Sequence, residues 1–426
     1  MNELKNLMNG RVLLPGDEGF DEARTPWNVA VDQRVRAVVD VADTDDVAAA
    51  IGYARLHGLA VTAQPSGHGA SGDTEGAILL RTRGLGGVEI HDGVARVGAG
   101  VRWGEVLAAA SPLGLTGLAG SSPVVSVAGY TLGGGLSWFS RAYGFAADTV
   151  RAFDAVDAEG RRIRVTAGGD PELFWALRGG GGDFAIVTAM EFELRPAPSL
   201  YGGRITWPIE RAPAVLDAFR EVTASAPEEL TVWFDLLQIP GGPGFVMIDS
   251  TCLGRDPGGL LRPFERIGGA VGDTRRPLPV AELGSICDEP TDPSPGTSRC
   301  ELLTGLDDQV AGVLLGEPID PLTGVQIRHL GGALARPAAG GGAAGHLDEP
   351  YLVYAFGRPG EATAERLGRL GKELVPFTSG RKPYTMLHGD EQAAAAFPGE
   401  TLARLRDLKR ARDPHGVIRA NYPVLG

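Results

Sequence analysis

A chain of 426 residues, 43% hydrophobic and 22% charged, has the make-up of a soluble globular protein and is too long for one ordinary core, so two domains are expected. A formal net charge of −13 with no basic run excludes a nucleic-acid partner, and no apolar stretch is long enough to cross a bilayer. The opening Met1–Met8 lacks the apolar core of a secretory signal, and Cys252, Cys287 and Cys300 are odd in number and widely spaced, which points to thiols in a reducing cytoplasm, not to a disulfide framework or a zinc site.

Residues 1–60 read as a strand, a loop and a helix. Asp43-Thr44-Asp45-Asp46 supplies a cap and an acidic first turn. Val47, Ala50, Ile51 and Ala54 then recur at helical spacing, and Gly58 suits the position just past the helix end. Residues 59–63 predict a strand, which delivers the first glycine-framed segment, Pro65-Ser66-Gly67-His68-Gly69-Ala70-Ser71-Gly72. Residues 98–104 lead into a helix, but their GxGxxxG spacing, with no acidic residue about 20 positions on, lacks the dinucleotide fingerprint. A second glycine-framed segment runs from Gly120-Ser121-Ser122-Pro123 through Val125 and Gly129-Tyr130 to Gly133-Gly134-Gly135.

Residues 152–157 and 162–166 predict a hairpin turning at Glu159-Gly160. Pro171 starts a short helix, residues 185–194 read as a strand, and Arg195-Pro196-Ala197-Pro198 marks a domain boundary. Beyond it, strand-like runs at 203–207, 230–239, 245–252, 324–330 and 351–356 alternate with helices at 212–224 and 361–374. Gly241-Gly242-Pro243-Gly244 joins two of the strands. The Gly/Ala-rich stretch 338–345 reads as a mobile loop. A last helix spans 399–412. His329 and His346 have no ligand-spaced partner and read as structural or surface groups, and there is no zinc-protease, metal-carboxylate or phosphate-loop motif.

Glycine allows close backbone approach and positive φ, so N–H groups can converge on an anion. Two such loops, one holding a lone imidazole, suit a phosphate-bearing cofactor attached through that imidazole. Together with Phe174-Trp175-Ala176-Leu177-Arg178-Gly179-Gly180-Gly181-Gly182-Asp183-Phe184-Ala185-Ile186-Val187-Thr188 and Asp413-Pro414-His415-Gly416-Val417-Ile418-Arg419-Ala420-Asn421-Tyr422-Pro423, they resemble, in order, four signatures of the FAD-binding oxidoreductases of the vanillyl-alcohol oxidase / p-cresol methylhydroxylase (PCMH) fold, in the berberine-bridge-enzyme-like branch.

The resemblance implies an α+β architecture. A two-part FAD-binding domain (1–198, joined by a returning segment 376–426) would hold an inserted substrate domain (199–375), an antiparallel sheet flanked by helices. It implies covalent FAD on His68, with Pro65, Ser66, Gly67, Gly69, Ala70, Ser71, Gly120, Ser121, Ser122, Val125, Gly129, Tyr130, Gly133, Gly134, Val187 and Asn421 around the cofactor. Some members carry a second link through a cysteine where this chain has Ser122, so a single tether is expected. Tyr130 matches a position beside the flavin N1–C2=O edge, where a donor would support charge on the reduced ring; core packing is its alternative. Where relatives carry Tyr-x-Asn-Tyr, this chain has Tyr384-Thr385-Met386-Leu387. Tyr384 is then a candidate base, with a packed aromatic as the alternative. No metal is implied.

The activity implied is oxidation of a small organic molecule, phenolic, hydroquinone or polyketide-like, with O₂ as acceptor, in bacterial secondary metabolism or detoxification. The protein would be a cytoplasmic monomer or homodimer. A flavin-dependent oxygenase and a flavin-containing protein that sequesters a metabolite or drug are the alternatives.

Overall fold

The computed structural model describes residues 1–254, 256–389 and 391–426. Near the N-terminus a four-stranded sheet has the order Arg11–Leu13, Ala37–Asp40, Ile78–Arg81, Val61–Ala63. The last three strands run parallel, and their near-continuous apolar runs suit a sheet buried on both faces. Helix Thr44–His57 packs on it through Val47, Ala50, Ile51 and Ala54. Asp43 caps that helix by accepting from the Asp46 N–H, and Gly58 ends it at φ 64°. The C-terminal segment lies along Val61: the Val61 N–H donates to the Val417 carbonyl (2.7 Å) and the Arg419 N–H to the Val61 carbonyl (2.9 Å).

A second, five-stranded antiparallel sheet has the order Val88–His91, Val94–Gly98, Ile186–Glu193, Val150–Val156, Arg162–Thr166. Its core surrounds Trp103, Trp138, Phe153 and Phe184. Arg195–Pro196 pairs with Leu115–Thr116 just before the chain enters a third, large antiparallel sheet. The central strands there are ordered Leu200–Pro208, Gly244–Leu253, Leu230–Gln238, Gly324–His329, Tyr351–Gly357, Thr297–Leu303. One face of this sheet is covered by helices Ala212–Thr223, Asp308–Leu315 and Glu361–Leu374 around Phe219, Phe234, Ile327 and Leu370. The other face turns to the second sheet's core, where Trp233 stacks on Trp138 with ring centres 3.6 Å apart.

The α+β architecture matches the expectation, with three departures. Strand Thr297–Leu303 and helix Asp308–Leu315 lie where no element was foreseen. Polar Ser298, Arg299 and Glu301 mask the strand's apolar alternation. The second glycine segment holds a six-residue helix, Val127–Leu132. The Gly/Ala stretch 338–345 is not a free loop: the Ala343 and Ala344 N–H groups donate to the carbonyls of Trp175 and Arg178 (3.1 and 3.2 Å), and Ala343 is buried. A Cβ on Gly179, at φ 103°, would fall 2.3 Å from that of Ala344. Small residues there permit close packing, where the sequence reading expected mobility.

Candidate functional site

The His68 loop leaves strand Val61–Ala63 through a tight turn. Gly67 sits at φ 85°, and a Cβ there would lie 2.7 Å from that of Pro26, so only glycine fits. The His68 ring stacks on Trp27 at 4.4 Å and 17°, and its Nδ1 lies 2.9 Å from Ser66 Oγ. Its Nε2 is buried with no partner. Burial first, then the nearby Arg102 charge, lowers its pKa to about 4, so the imidazole is neutral and nucleophilic at pH 7. Asn421 joins this loop from the far end of the chain. Its Oδ1 accepts from Gln64 Nε2 (3.0 Å), and its carbonyl accepts from Ser71 Oγ. Ala70 is buried, Pro65 is half-buried and Gly69 is exposed.

The second segment comes close through Arg102, which bridges to Ser126. Gly120 and Ser121 are half-buried, and Val125 accepts from the Trp103 N–H (3.0 Å). Ser122 Oγ is buried without a partner, and Gly129 is exposed. Tyr130 packs edge-on against Trp103. Its hydroxyl is buried and unpartnered, and burial raises its pKa against the pull of Arg328. It is therefore a neutral hydroxyl with a proton to donate. Gly133 and Gly134 are buried; a Cβ on Gly133 would strike Thr385 at 2.7 Å. Val187 is buried on a strand whose register slips between it and Ala189.

Tyr384 is engaged by the chain itself. Its hydroxyl donates to the Tyr422 carbonyl at 2.9 Å, and its ring packs against Phe397 and Tyr422. A Cβ on Gly181 would lie 2.4 Å from that hydroxyl. Burial, followed by Asp183, drives its pKa well above that of a free phenol. A donor engaged by a carbonyl favours the packing alternative for this tyrosine. Asp183 has a similar structural use. It accepts from the Ala420 and Val424 N–H groups, while buried Lys409 bonds Asp413, the Ile418 carbonyl and the Asp183 carbonyl. This fastens the C-terminal signature to the third one.

Motif reading missed a cluster on the large sheet. Strand register places Arg204, Asp249, Trp233 and Arg328 in one row and Asp235, Gln326 and Tyr354 in the next, all on the face opposite the helices. The Arg328 guanidinium lies 4.1 Å from the Trp233 ring centre. Its Nε donates to Gln326 Oε1, and Gln326 Nε2 donates to Asp235 Oδ1, both at 2.5 Å. Arg204 holds Asp249 through two hydrogen bonds of 2.6 and 2.7 Å. The available signal was a lone carboxylate in the apolar run Val232-Trp233-Phe234-Asp235-Leu236, with polar Gln326 and Arg328 two residues apart in another.

Residues 35–166 match the family described as FAD binding domain. (R)-6-hydroxynicotine oxidase of Paenarthrobacter nicotinovorans is 27% identical, across 98% of this chain and 97% of its own length. The FAD-dependent monooxygenase tpcD of Cochliobolus heterostrophus is 30% identical, across 75% of this chain and 68% of its own. The chain belongs to the PCMH-type FAD oxidoreductases. Among solved structures, 6-hydroxy-D-nicotine oxidase from Arthrobacter nicotinovorans shares the fold with a TM-score of 0.85 at 24% identity, over 98% of both chains. Physcomitrella patens BBE-like 1 does so at 0.86 and 20%, over 99% of this chain and 98% of its own.

FAD fits the groups present. His68 Nε2, Ser122 Oγ, Tyr130 Oη and Gln64 Oε1 are buried polar atoms with no partner in the chain, and such atoms are costly unless something satisfies them. Among the described residues no helix is long and apolar enough to cross a membrane, and no His/Cys/Asp/Glu group is arranged to hold a metal ion.

Proposed function

We propose that this oxidoreductase holds FAD covalently through His68 and oxidises a small phenolic, hydroquinone or polyketide-like molecule, with O₂ as the final electron acceptor. The observation that carries this reading is the neutral, half-buried imidazole of His68, clamped between Trp27 and Ser66 with its Nε2 buried and unpartnered. When bound, FAD supplies the two-electron acceptor. Residues 1–198 and 376–426 form the FAD-binding part in this reading, and residues 199–375 form the substrate part. Pro65 to Ser71, Gly120 to Ser122, Val125, Gly129, Gly133, Gly134, Val187 and Asn421 surround the cofactor. Tyr130 holds a proton towards the flavin edge. Ser122 has no thiol, so the tether is single.

The substrate meets the face carrying Trp233, Tyr354 and Arg328. Aromatic rings beside a buried guanidinium favour a planar, hydroxylated ring. The similarity to (R)-6-hydroxynicotine oxidase along 98% of the chain supports an oxidase of a hydroxylated ring. Acid-precipitated protein should stay yellow, its mass should exceed the sequence mass by one FAD, and the flavin should map to the His68 peptide alone. Complete release of flavin by acid rejects the linkage. Hydroquinones and polyphenolic polyketides should bleach the flavin anaerobically, whereas glucose and benzylic alcohols should not; efficient turnover of a sugar rejects the substrate class.

A second reading has its own support, because the 30%-identical relative is named a monooxygenase. Label from ¹⁸O₂ in the product would select the oxygenase, and its absence the oxidase.

A further inference from the structure

We propose that Asp235 is the catalytic base of this enzyme, taking the substrate's hydroxyl proton at its Oδ2. This rests on the reading that the substrate lies against the polar face of the large sheet.

Two carboxylates occupy that face, and they are not equivalent. Asp249 is fully buried, and both of its oxygens are engaged: Arg204 reaches each of them, and the Cys287 thiol adds a bond to Oδ2 at 3.2 Å. Asp235 is 6% exposed and, unlike Asp249, receives no hydrogen bond from an arginine among the described residues. Its Oδ1 accepts from Gln326, while its Oδ2 is buried and has no partner. Such an atom carries a desolvation cost that a bound hydroxyl would remove. Asp235 shares its face with Trp233, which meets Trp138 of the second sheet's core. The Gln326–Arg328 chain then leads from Asp235 to the guanidinium whose charge acts on the Tyr130 hydroxyl. The unfilled oxygen thus belongs to the cluster between the large sheet and the second glycine segment.

The charged and titratable groups around Asp235 are Asp249 and Arg204 on one side, Arg328 on the other, and Cys287 from the loop beyond. Burial and the neighbouring Asp249 push Asp235 up to about 8, against Arg204, Gln326 and Arg328. Burial raises Asp249 as well, but its two bonds to Arg204 favour its ionised form, so the pair holds its proton more readily on Asp235. In the step itself the substrate O–H bond breaks and a carboxyl O–H forms on Asp235. The electron pair and the second hydrogen leave for FAD, the family's oxidant, and the carboxyl proton later returns to solvent. Tyr384, bound to a carbonyl, is not needed.

Asp235→Asn tests this in the holoenzyme, since the amide keeps the shape and an oxygen for Gln326. With hydroquinone as probe, wild-type anaerobic flavin reduction should rise about tenfold per pH unit up to about pH 8 and then level. The variant should be slower by about 10²–10⁴-fold, with no rising limb. Thermal unfolding gives a second readout. A carboxyl whose folded pKa lies above its unfolded value makes stability fall as pH rises from about 4 to about 8, because the native state then binds more protons. That decline should be weaker in Asp235→Asn. The same rising limb in both proteins, or equal pH dependence of unfolding, overturns the assignment. If only glucose or a benzylic alcohol bleaches the flavin, the proposed substrate class fails, and the two proteins are compared with that substrate instead. If no probe bleaches it, equal pH dependence of unfolding in the two proteins still overturns the assignment.

Discussion

The two faces of the large sheet are built from alternate residues of the same strands, yet they follow different rules. On one face Val232, Phe234, Ile248, Ile327 and Val353 pack under three helices, where apolar groups dominate and what matters most is filling space. On the other, Arg204, Asp249, Trp233, Asp235, Gln326, Arg328 and Tyr354 are also mostly buried, but there a missing partner matters more than a missing methylene. Burial therefore does not separate scaffold from site in this protein. What distinguishes the polar face is its concentration of charged and hydrogen-bonding side chains, with one carboxylate oxygen of Asp235 left unpartnered.

Substitutions should respect that division, and four of them grade it by their effect on stability. Phe234→Ala, at a fully buried side chain on the helical face, should cost about 3–5 kcal/mol in denaturant unfolding; a cost below that of any polar-face variant would break the contrast. Gln326→Leu should cost about 1–3 kcal/mol, because it strips the donor from Asp235 Oδ1. Tyr384→Phe removes one bond to the Tyr422 carbonyl and should cost about 0.5–1.5 kcal/mol with little change in flavin reduction. Abolished turnover would restore it as a catalytic group. Tyr130→Phe removes a hydroxyl with no partner in the chain, so unfolding should barely change. If Tyr130 supports charge on the reduced flavin, reduction should nevertheless slow by about 10²–10³-fold with substrate affinity nearly unchanged. A variant that is slow and also unstable would return Tyr130 to packing.

The apoprotein offers a pH test of the other half of the site. His68 has its pKa lowered to about 4 in the fold, so the unfolded chain binds the extra proton first. Stability should fall as pH drops from about 6.5 towards 4, and His68→Asn should flatten that limb.

How much of this the sequence disclosed depends on the kind of signal. Gly67, Gly133, Gly179 and Gly181 stand where a side chain would strike a neighbour, so the chain's geometry is written into its composition there, and the signatures could be read directly. The helix from Thr44 was legible for similar reasons: its cap, its spacing and Gly58 all act locally. The polar cluster was not legible, because Asp235 and Gln326, or Asp249 and Arg204, meet only once strand register is fixed. An apolar run with one carboxylate looks the same whether that carboxylate is anchored or waiting. Tyr384 misled for the opposite reason. A motif position was retained, but its hydroxyl is committed to a carbonyl 38 residues away.

The bond between Ser71 and Asn421 joins residues 350 positions apart, and that between Gln64 and Asn421 spans 357. During synthesis the histidine loop leaves the ribosome before the segment that lies beside Val61 and closes on the loop. Until then Gln64 and Ser71 bond to water and the Val61 strand lacks a neighbour. The loop around His68 is thus completed only after residue 421 has been made. A chain cut before residue 417 should therefore display the same histidine in an open, hydrated loop, without the contacts that Val417, Arg419 and Asn421 make.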